Sequence, residues 1–136
     1  MESGAVEMPF SFHVDESRGV FHVEAVGEVD DVELTGLMDR LRHEAAYVAG
    51  YPILCDCSTL TVVSISSSLI ESLARAARSR KNLVAIIAPM PVAFGLARMY
   101  QIFSDPEDAR INVFTKAEQA IEWLDNASRW VLRRSA

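Results

Sequence analysis

The sequence predicts a single small α/β domain in which a mixed, mostly parallel sheet is covered by helices. Three observations lead to this prediction. Two segments early in the chain alternate apolar and polar residues. Later segments are short and almost wholly apolar, and each of these is followed by a segment with apolar residues at helical spacing. Repeated strand, helix, strand crossovers imply right-handed connections between parallel strands. The expected order is an N-terminal β-hairpin followed by β-α repeats, β β α β α β α β α.

The hairpin is expected to pair Phe10 to Val14 with Val20 to Val29, because the residues DESRG between them suit a turn. A helix should follow, with Asp30 or Asp31 as its cap and Gly50 as its end. Its predicted inward residues are Leu34, Leu37, Met38, Leu41, Ala45 and Val48.

The run YPILCDC has the length and composition of a central strand that is covered on both faces. The next helix is expected to begin near Ser68, where SLIE suits a capping box with Glu71. The run ARAARSRK, late in this helix, suits either an anion site or a solvated, basic helix end, and we expect the helix end because the dipole favours cations there. The predicted apolar side of the helix consists of Leu69, Ile70, Leu73, Ala74 and Ala77.

A second buried strand is expected at Asn82 to Ala88, where Pro89 and Pro91 end it and lead into the helix VAFGLARMYQIFSD. The last strand is expected at Arg110 to Thr115. The letters TKAE then form a second capping box, which opens the final helix. Its predicted inward residues are Ala117, Ala120, Ile121 and Leu124.

Composition limits the function classes. The chain has 136 residues, of which 50% are hydrophobic and 24% charged, as expected of one globular domain. A formal net charge of −6 argues against binding of nucleic acid, which requires clustered cations. The longest apolar run is far shorter than the ~20 residues that cross a bilayer. The acidic N-terminus lacks the pattern of a secretory signal, so we expect a cytoplasmic protein with no membrane span.

Residues 1–9 are expected to form an N-terminal extension, 10–126 the domain, and 127–136 a basic tail in which Arg129, Arg133 and Arg134 surround apolar residues. The two cysteines, Cys55 and Cys57, should share one face of a strand. That spacing suits neither a disulfide nor a structural zinc site, so we expect buried thiols and neither metal nor cofactor.

Three segments together resemble the bacterial SpoIIAA-like family: PILCDCSTLTVVSISSSLIESL, FGLARMYQIFSD and INVFTKAEQAIEWL. That family is similar to STAS domains, which occur in sulfate transporters and anti-sigma factor antagonists, and is often compared with lipid-binding CRAL-TRIO domains. The resemblance covers about Phe10 to Leu124. It implies a STAS-like fold and a domain that acts by binding.

In the phosphorylated anti-sigma factor antagonists, an Asp-Ser-Ser-Gly motif follows the central strand and its serine is the phosphorylation site. When Asp56 is matched to the family's strand aspartate, the motif falls on Ser64, Ile65, Ser66 and Ser67, so an isoleucine occupies the phosphoacceptor position. A phosphate on Ser66 or Ser67 would suit a helix start, but serines there more often act as caps. Asp56 either contributes to a ligand site at a strand end or fixes a turn through loop amides.

The helix VAFGLARMYQIFSD has apolar residues over an arc, including Phe94, that is wider than packing on one sheet face requires. A second subunit, a partner protein or an apolar pocket could account for the excess. Arg98 and Tyr100 differ by about 200° in direction, at about 100° per residue. One should therefore face a crevice beside Ser64 to Ser67 and the other a subunit or partner.

A simpler interpretation of the same helix is that Arg98 pairs with Asp105 or Glu107, while Tyr100 packs at the rim of the core. No nucleophile elbow, phosphate-binding glycine loop or zinc motif is present, so we expect no catalysis. The sequence predicts a regulatory binding module that acts through a protein partner or as a homodimer. The alternative is a carrier or sensor of a small lipophilic ligand. The candidate binding residues are Asp56, Ser64, Ser66, Ser67, Phe94, Arg98 and Tyr100.

Overall fold

A computed structural model describes residues 9–105 and 110–135, and for residues 129–135 the course of the backbone alone. It contains one five-stranded sheet in the order β1-β2-β3-β4-β5, in which β1 is antiparallel to β2 and the other neighbours are parallel. The strands are β1 Phe10–Asp15, β2 Val20–Asp30, β3 Ile53–Ser64, β4 Val84–Ile87 and β5 Ile111–Phe114. The helices are α1 Asp31–Leu41, α2 Ala45–Val48, α3 Ser67–Ala77, α4 Pro91–Ser104 and α5 Ala117–Ser135.

The predicted fold class is confirmed, because one mixed, mostly parallel sheet carries helices on both faces. The predicted hairpin closes between Asp15 and Val20. The Gly19 amide donates to the Asp15 carbonyl at 2.8 Å, and Gly19 has a φ of 65°. A positive φ favours glycine, which explains why this residue ends the turn.

The prediction of a single helix from Asp31 to Gly50 is wrong, because the chain bends between α1 and α2. The amides of His43 and Glu44 bond three residues back and tighten the end of α1. After this bend Tyr47 is buried, whereas Ala45 and Val48, which were expected to be inward, are exposed. The predicted stop at Gly50 is in place, with a φ of 86°.

Strand β3 is longer than the predicted run YPILCDC and continues to Ser64. The long strand β2 supplies hydrogen-bond partners for this second half, with register shifts where β3 carries extra residues. The shorter β4 pairs with β3 only as far as Asp56. The sequence had suggested that Asp56 is at the carboxyl end of this strand, but Asp56 lies within β3.

Helix α3 begins earlier than predicted, and its N-cap is Ser66 instead of Ser68. The Ser66 hydroxyl accepts from the Leu69 amide at 3.3 Å. Glu71 is then too far along the helix for a capping box, and it pairs with Arg75 at 2.6 Å. The start of the helix is thus fixed by a serine that the sequence also offered as a candidate binding residue.

Helix α5 buries Ala120 and Leu124 as predicted and half-buries Ile121, whereas Ala117 is exposed. The helix continues to Ser135, so most of the expected basic tail belongs to it. The side chains of Arg129, Arg133 and Arg134 and the structure of residues 1–8 lie outside the described part of the chain.

The two faces of the sheet have different covers. Helix α5 packs on one face, over β3, β4 and β5, while α1, α3 and α4 cover the other. None of the described helices is long and apolar enough to cross a membrane. The core under α5 consists of Val20, Leu54, Leu83, Ala85, Ile87, Ala120 and Leu124.

Candidate functional site

A cavity of about 190 Å³ lies between the sheet and the three helices α1, α3 and α4. It is larger than the engineered cavity of about 150 Å³ that stays dry and binds benzene in another protein. Most of its lining is apolar because alternate residues of β2, β3 and β4 point to this face. Representative lining residues are Val23, Cys55 and Ile86 from the sheet, and Leu37, Leu73 and Leu96 from the helices.

The two cysteines share the cavity face of β3, as their spacing predicted. Their Sγ atoms are 3.8 Å apart, and both thiols are free. The hydrogen bond with Cys57, together with burial, raises the pKa of the Cys55 thiol well above its usual value, so this thiol stays neutral. Among the residues that the structure describes, no three His, Cys, Asp or Glu side chains are grouped to hold a metal ion. The cysteines therefore act as small apolar parts of the lining.

Polar side chains collect at one end of the cavity, where β4 and β5 begin. Arg80 and Asn82 precede β4, and Arg110 precedes β5. The Arg80 guanidinium carbon stands 5.1 Å from the centre of the Tyr47 ring. The Asn82 side chain donates to the carbonyl oxygens of Tyr47 at 3.1 Å and Tyr51 at 2.9 Å. These contacts fix Tyr47 beside the start of β4.

Arg110 and Asp105 complete this end of the site. The Arg110 guanidinium donates to the Arg80 carbonyl oxygen, and its Nε lies 4.0 Å from Asp105 Oδ1. The Asp105 carboxylate also accepts from the amides of Arg110 at 2.7 Å and Ile111 at 2.9 Å. One acidic group thus anchors the start of β5 and partly balances Arg110.

Tyr100 lines the cavity from α4. Burial raises the pKa of its hydroxyl above the ordinary value, Tyr47 and Cys55 raise it further, and Arg110 opposes the increase. The phenol is therefore neutral and a hydrogen-bond donor near pH 7. Within the described residues no hydrogen-bond partner of this hydroxyl is found.

Arg98 lies on the exposed side of α4, so it and Tyr100 point in different directions as their spacing predicted. Its Nη1 donates to Gln101 Oε1 at 2.9 Å. The predicted pair with Asp105 is wrong, because Arg110 and the amides at the start of β5 occupy that carboxylate. The other predicted partner, Glu107, lies outside the described residues.

The serines near α3 are at the opposite end of the strands. Asp31 holds the N-cap, since its carboxylate accepts from the amide and the hydroxyl of Ser66, each at 2.8 Å. A phosphate on Ser66 would remove this cap and place two negative groups together. Ser64 ends β3 and Ser67 begins α3, and both are exposed.

No protein-family model matches the chain, and no curated protein matches it. Several solved structures do, among them the following two. An uncharacterised protein of the DUF3478 family with a SpoIIAA-like fold, from Shewanella loihica, is 20% identical, with a TM-score of 0.55 over 91% of this chain and 98% of its own. An anti-sigma factor antagonist from Mycobacterium paratuberculosis is 18% identical, with a TM-score of 0.51 over 85% and 93%.

The chain has a SpoIIAA-like fold. These identities bear on the fold alone, so the roles of individual residues follow from this structure and not from the relatives. The comparison with CRAL-TRIO domains stays a prediction.

The SpoIIAA-like fold does not gather the predicted binding residues into one site. Tyr100 lines the cavity, Phe94 packs at the edge of the core near Ile86, and Arg98 faces outward. The prediction that Tyr100 lies beside the loop Ser64 to Ser67 is wrong. Tyr100 lies in the second half of α4, and each residue of a helix advances about 1.5 Å along the axis. It is therefore close to Arg110, at the amino ends of the strands.

Asp56 alternates with Cys55 and Cys57 along β3 and so lies on the other face of the sheet, where its charge acts to raise the pKa of His22. Its carboxylate accepts from the amide of Ser58 at 2.9 Å and from its hydroxyl at 2.6 Å. This is the local, turn-fixing role that the sequence left open as an alternative. Tyr47 and Arg110 were not predicted as site residues, and Arg80 was interpreted as part of a solvated helix end. The three residues come from distant segments, and no sequence motif joins them.

Proposed function

We propose that the chain is a non-catalytic regulatory module that acts by binding a protein, with a second copy of the chain as the first partner to test. The observation that carries this proposal is the exposed outer side of α4. Val92 is 55% exposed and Ile102 54% exposed, and helical spacing puts half-buried Met99 on the same side. The shared fold with an anti-sigma factor antagonist supports a regulatory role.

The composition of α4 strengthens this interpretation. Single exposed apolar residues are common on proteins, but a helix side that faces water normally carries several charges. Arg98 is the one charged residue of α4, and it borders the exposed stripe. Gly95 lies within the stripe, where the lack of a side chain allows a close approach of another backbone. The cytoplasm remains the expected compartment.

The test is the oligomeric state of the full chain, measured by light scattering after gel filtration. We expect a dimer for the wild type and a monomer for a variant with Val92→Glu and Ile102→Glu, because two charges would be buried in the interface. Arg98→Ala should weaken the dimer while the chain stays folded.

The matched control places glutamates at Val32 and Val48, which are 79% and 64% exposed on α1 and α2. This variant should remain a dimer. A monomeric wild type at every concentration, or an α4 variant that still dimerises, would contradict self-association through α4.

The cavity favours a second candidate function, the carriage or sensing of a small lipophilic ligand. Its volume of about 190 Å³ and its mostly apolar lining suit such a ligand. Since α4 forms part of the lining, an occupant would contact the same helix whose outer side we propose as the interface. Native mass spectrometry separates the candidates: a clean dimer supports protein binding, and a co-purifying apolar molecule supports the carrier.

A further inference from the structure

We infer that the cavity selects an acid: a small monocarboxylate with an apolar body, its carboxylate at the end formed by Tyr47, Arg80, Tyr100 and Arg110. This inference rests on the second candidate function, the binding of a lipophilic ligand. It goes further by giving that ligand a charged group and a direction in the cavity.

The polar end offers donors and few acceptors. The hydroxyls of Tyr47 and Tyr100 have no hydrogen-bond partner within the part of the chain that the structure describes. A buried hydroxyl without a partner is costly, so both groups favour an occupant that accepts hydrogen bonds. Because Tyr100 stays protonated at neutral pH, it can donate to an anion.

Among the described residues that line this end the charge is positive, although the whole chain carries a net charge of −6. Arg80 contacts the Tyr47 ring and forms no ion pair with any described acid. Arg110 has Asp105 as its acid, at the long distance of 4.0 Å. A carboxylate bound here would gain charge-assisted hydrogen bonds from side chains that have no full counter-ion.

The remainder of the cavity suits hydrocarbon. From the tyrosines toward the carboxyl ends of the strands, the lining passes through Cys55 and Cys57 to Leu60 and Ile70. The Cys55 thiol is neutral and thiols are only weak donors, so this part of the lining offers little to a second charge. A ligand with one acidic end and one apolar end therefore fits both halves.

The experiment is isothermal titration calorimetry of the full chain with octanoate, and with 1-octanol as the uncharged probe of the same length. We expect octanoate to bind at least about tenfold more tightly than 1-octanol, as the gain of a charge-assisted hydrogen bond implies. Acetate should not bind measurably, because it lacks the apolar body.

Two variants test the polar end without removing packing. Tyr100→Phe deletes only the hydroxyl, and Arg80→Gln deletes an exposed charge. Each should weaken octanoate about tenfold, and Arg80→Gln should leave 1-octanol, which carries no charge, unchanged. Arg75→Gln is the control, since this exposed arginine of α3 pairs with Glu71 and does not line the cavity.

The outcomes separate the two levels of the proposal. Equal affinity for octanoate and 1-octanol, or full octanoate affinity in both variants, would overturn the preference for an acid and leave lipophilic binding in place. Failure of both probes to bind would contradict the ligand-binding function itself. Unchanged melting temperatures for Tyr100→Phe and Arg80→Gln would show that lost affinity does not reflect unfolding.

Discussion

The two faces of the sheet show how one set of strands can support two kinds of packing. Under α5, Ala85 of β4 and Ala120 of α5 are fully buried in the same core. The gap beside Leu54 and Leu124 measures about 10 Å³. On the opposite face the cavity measures about 190 Å³. Small side chains produce opposite results on the two faces: they let α5 approach the sheet, but they leave space under α1, α3 and α4.

The difference follows from what holds the helices. Helix α5 is free to settle onto β4 and β5, whereas α3 packs extensively against α4, which limits how closely either can approach the sheet. The face under α5 is thus closely packed, whereas the opposite face keeps a space of about 190 Å³.

The largest effect is expected from a charge on the packed face. Leu124→Asp should lower the free energy of unfolding by about 3 to 5 kcal/mol, because Leu124 is 2% exposed and the carboxylate would enter an apolar core. Urea denaturation measures the loss. Gln119→Asp, at an exposed position of the same helix, should stay close to the wild type. An unchanged transition in Leu124→Asp would show that α5 does not seal this face.

An intermediate effect should distinguish the faces directly. Ala120→Leu adds volume where no space exists and should cost about 1 to 3 kcal/mol. Ala97→Leu adds the same volume at the cavity and should be neutral or stabilise by about 0.5 kcal/mol or more. Thermal and urea denaturation of both variants measure the difference. Equal losses in the two variants would mean that the cavity face is as closely packed as the other.

The smallest effect is expected from two histidines of β1 and β2, on the side of the sheet that α5 covers. There His13 and His22 stack with ring centres 4.5 Å apart. Burial, and then His13, lower the pKa of His22 below 6.5, while Asp15 and Asp56 act in the opposite direction. The folded state therefore binds fewer protons than the unfolded state just below pH 6.5. The stability that His22 contributes is present above that pH and is lost as the pH falls.

Urea midpoints between about pH 8 and pH 5.5 measure this dependence, within the range where histidine titrates. His22→Gln should flatten the pH dependence, and His43→Gln, at an exposed position after α1, should leave it unchanged. A wild type and a His22→Gln variant with the same slope would exclude His22 as its source.

Much of the fold could be predicted because periodicity records which side of each element is buried. The alternation in β1 and β2, the apolar runs of β3 and β4, and the spacing of Ile70, Ala74 and Ala77 in α3 all lie where the sequence placed them. Part of the wide apolar arc of α4 is explained by the cavity, which Tyr100 lines, whereas Val92 and Ile102 face outward, and a second neighbour for them stays a prediction. Even the shared face of Cys55 and Cys57 followed from their spacing alone.

The sequence by itself therefore determined the order of the strands and of the main helices, and most of their buried sides. Only the tertiary structure decided the bend between α1 and α2, the length of β3, and the site at which Tyr47, Arg80, Tyr100 and Arg110 meet. The physical reason is that burial patterns are local, whereas a cavity depends on how far packed helices are held from a sheet. That distance is set by contacts between residues far apart in the chain, such as those of α3 with α4, and no pattern within one segment contains it.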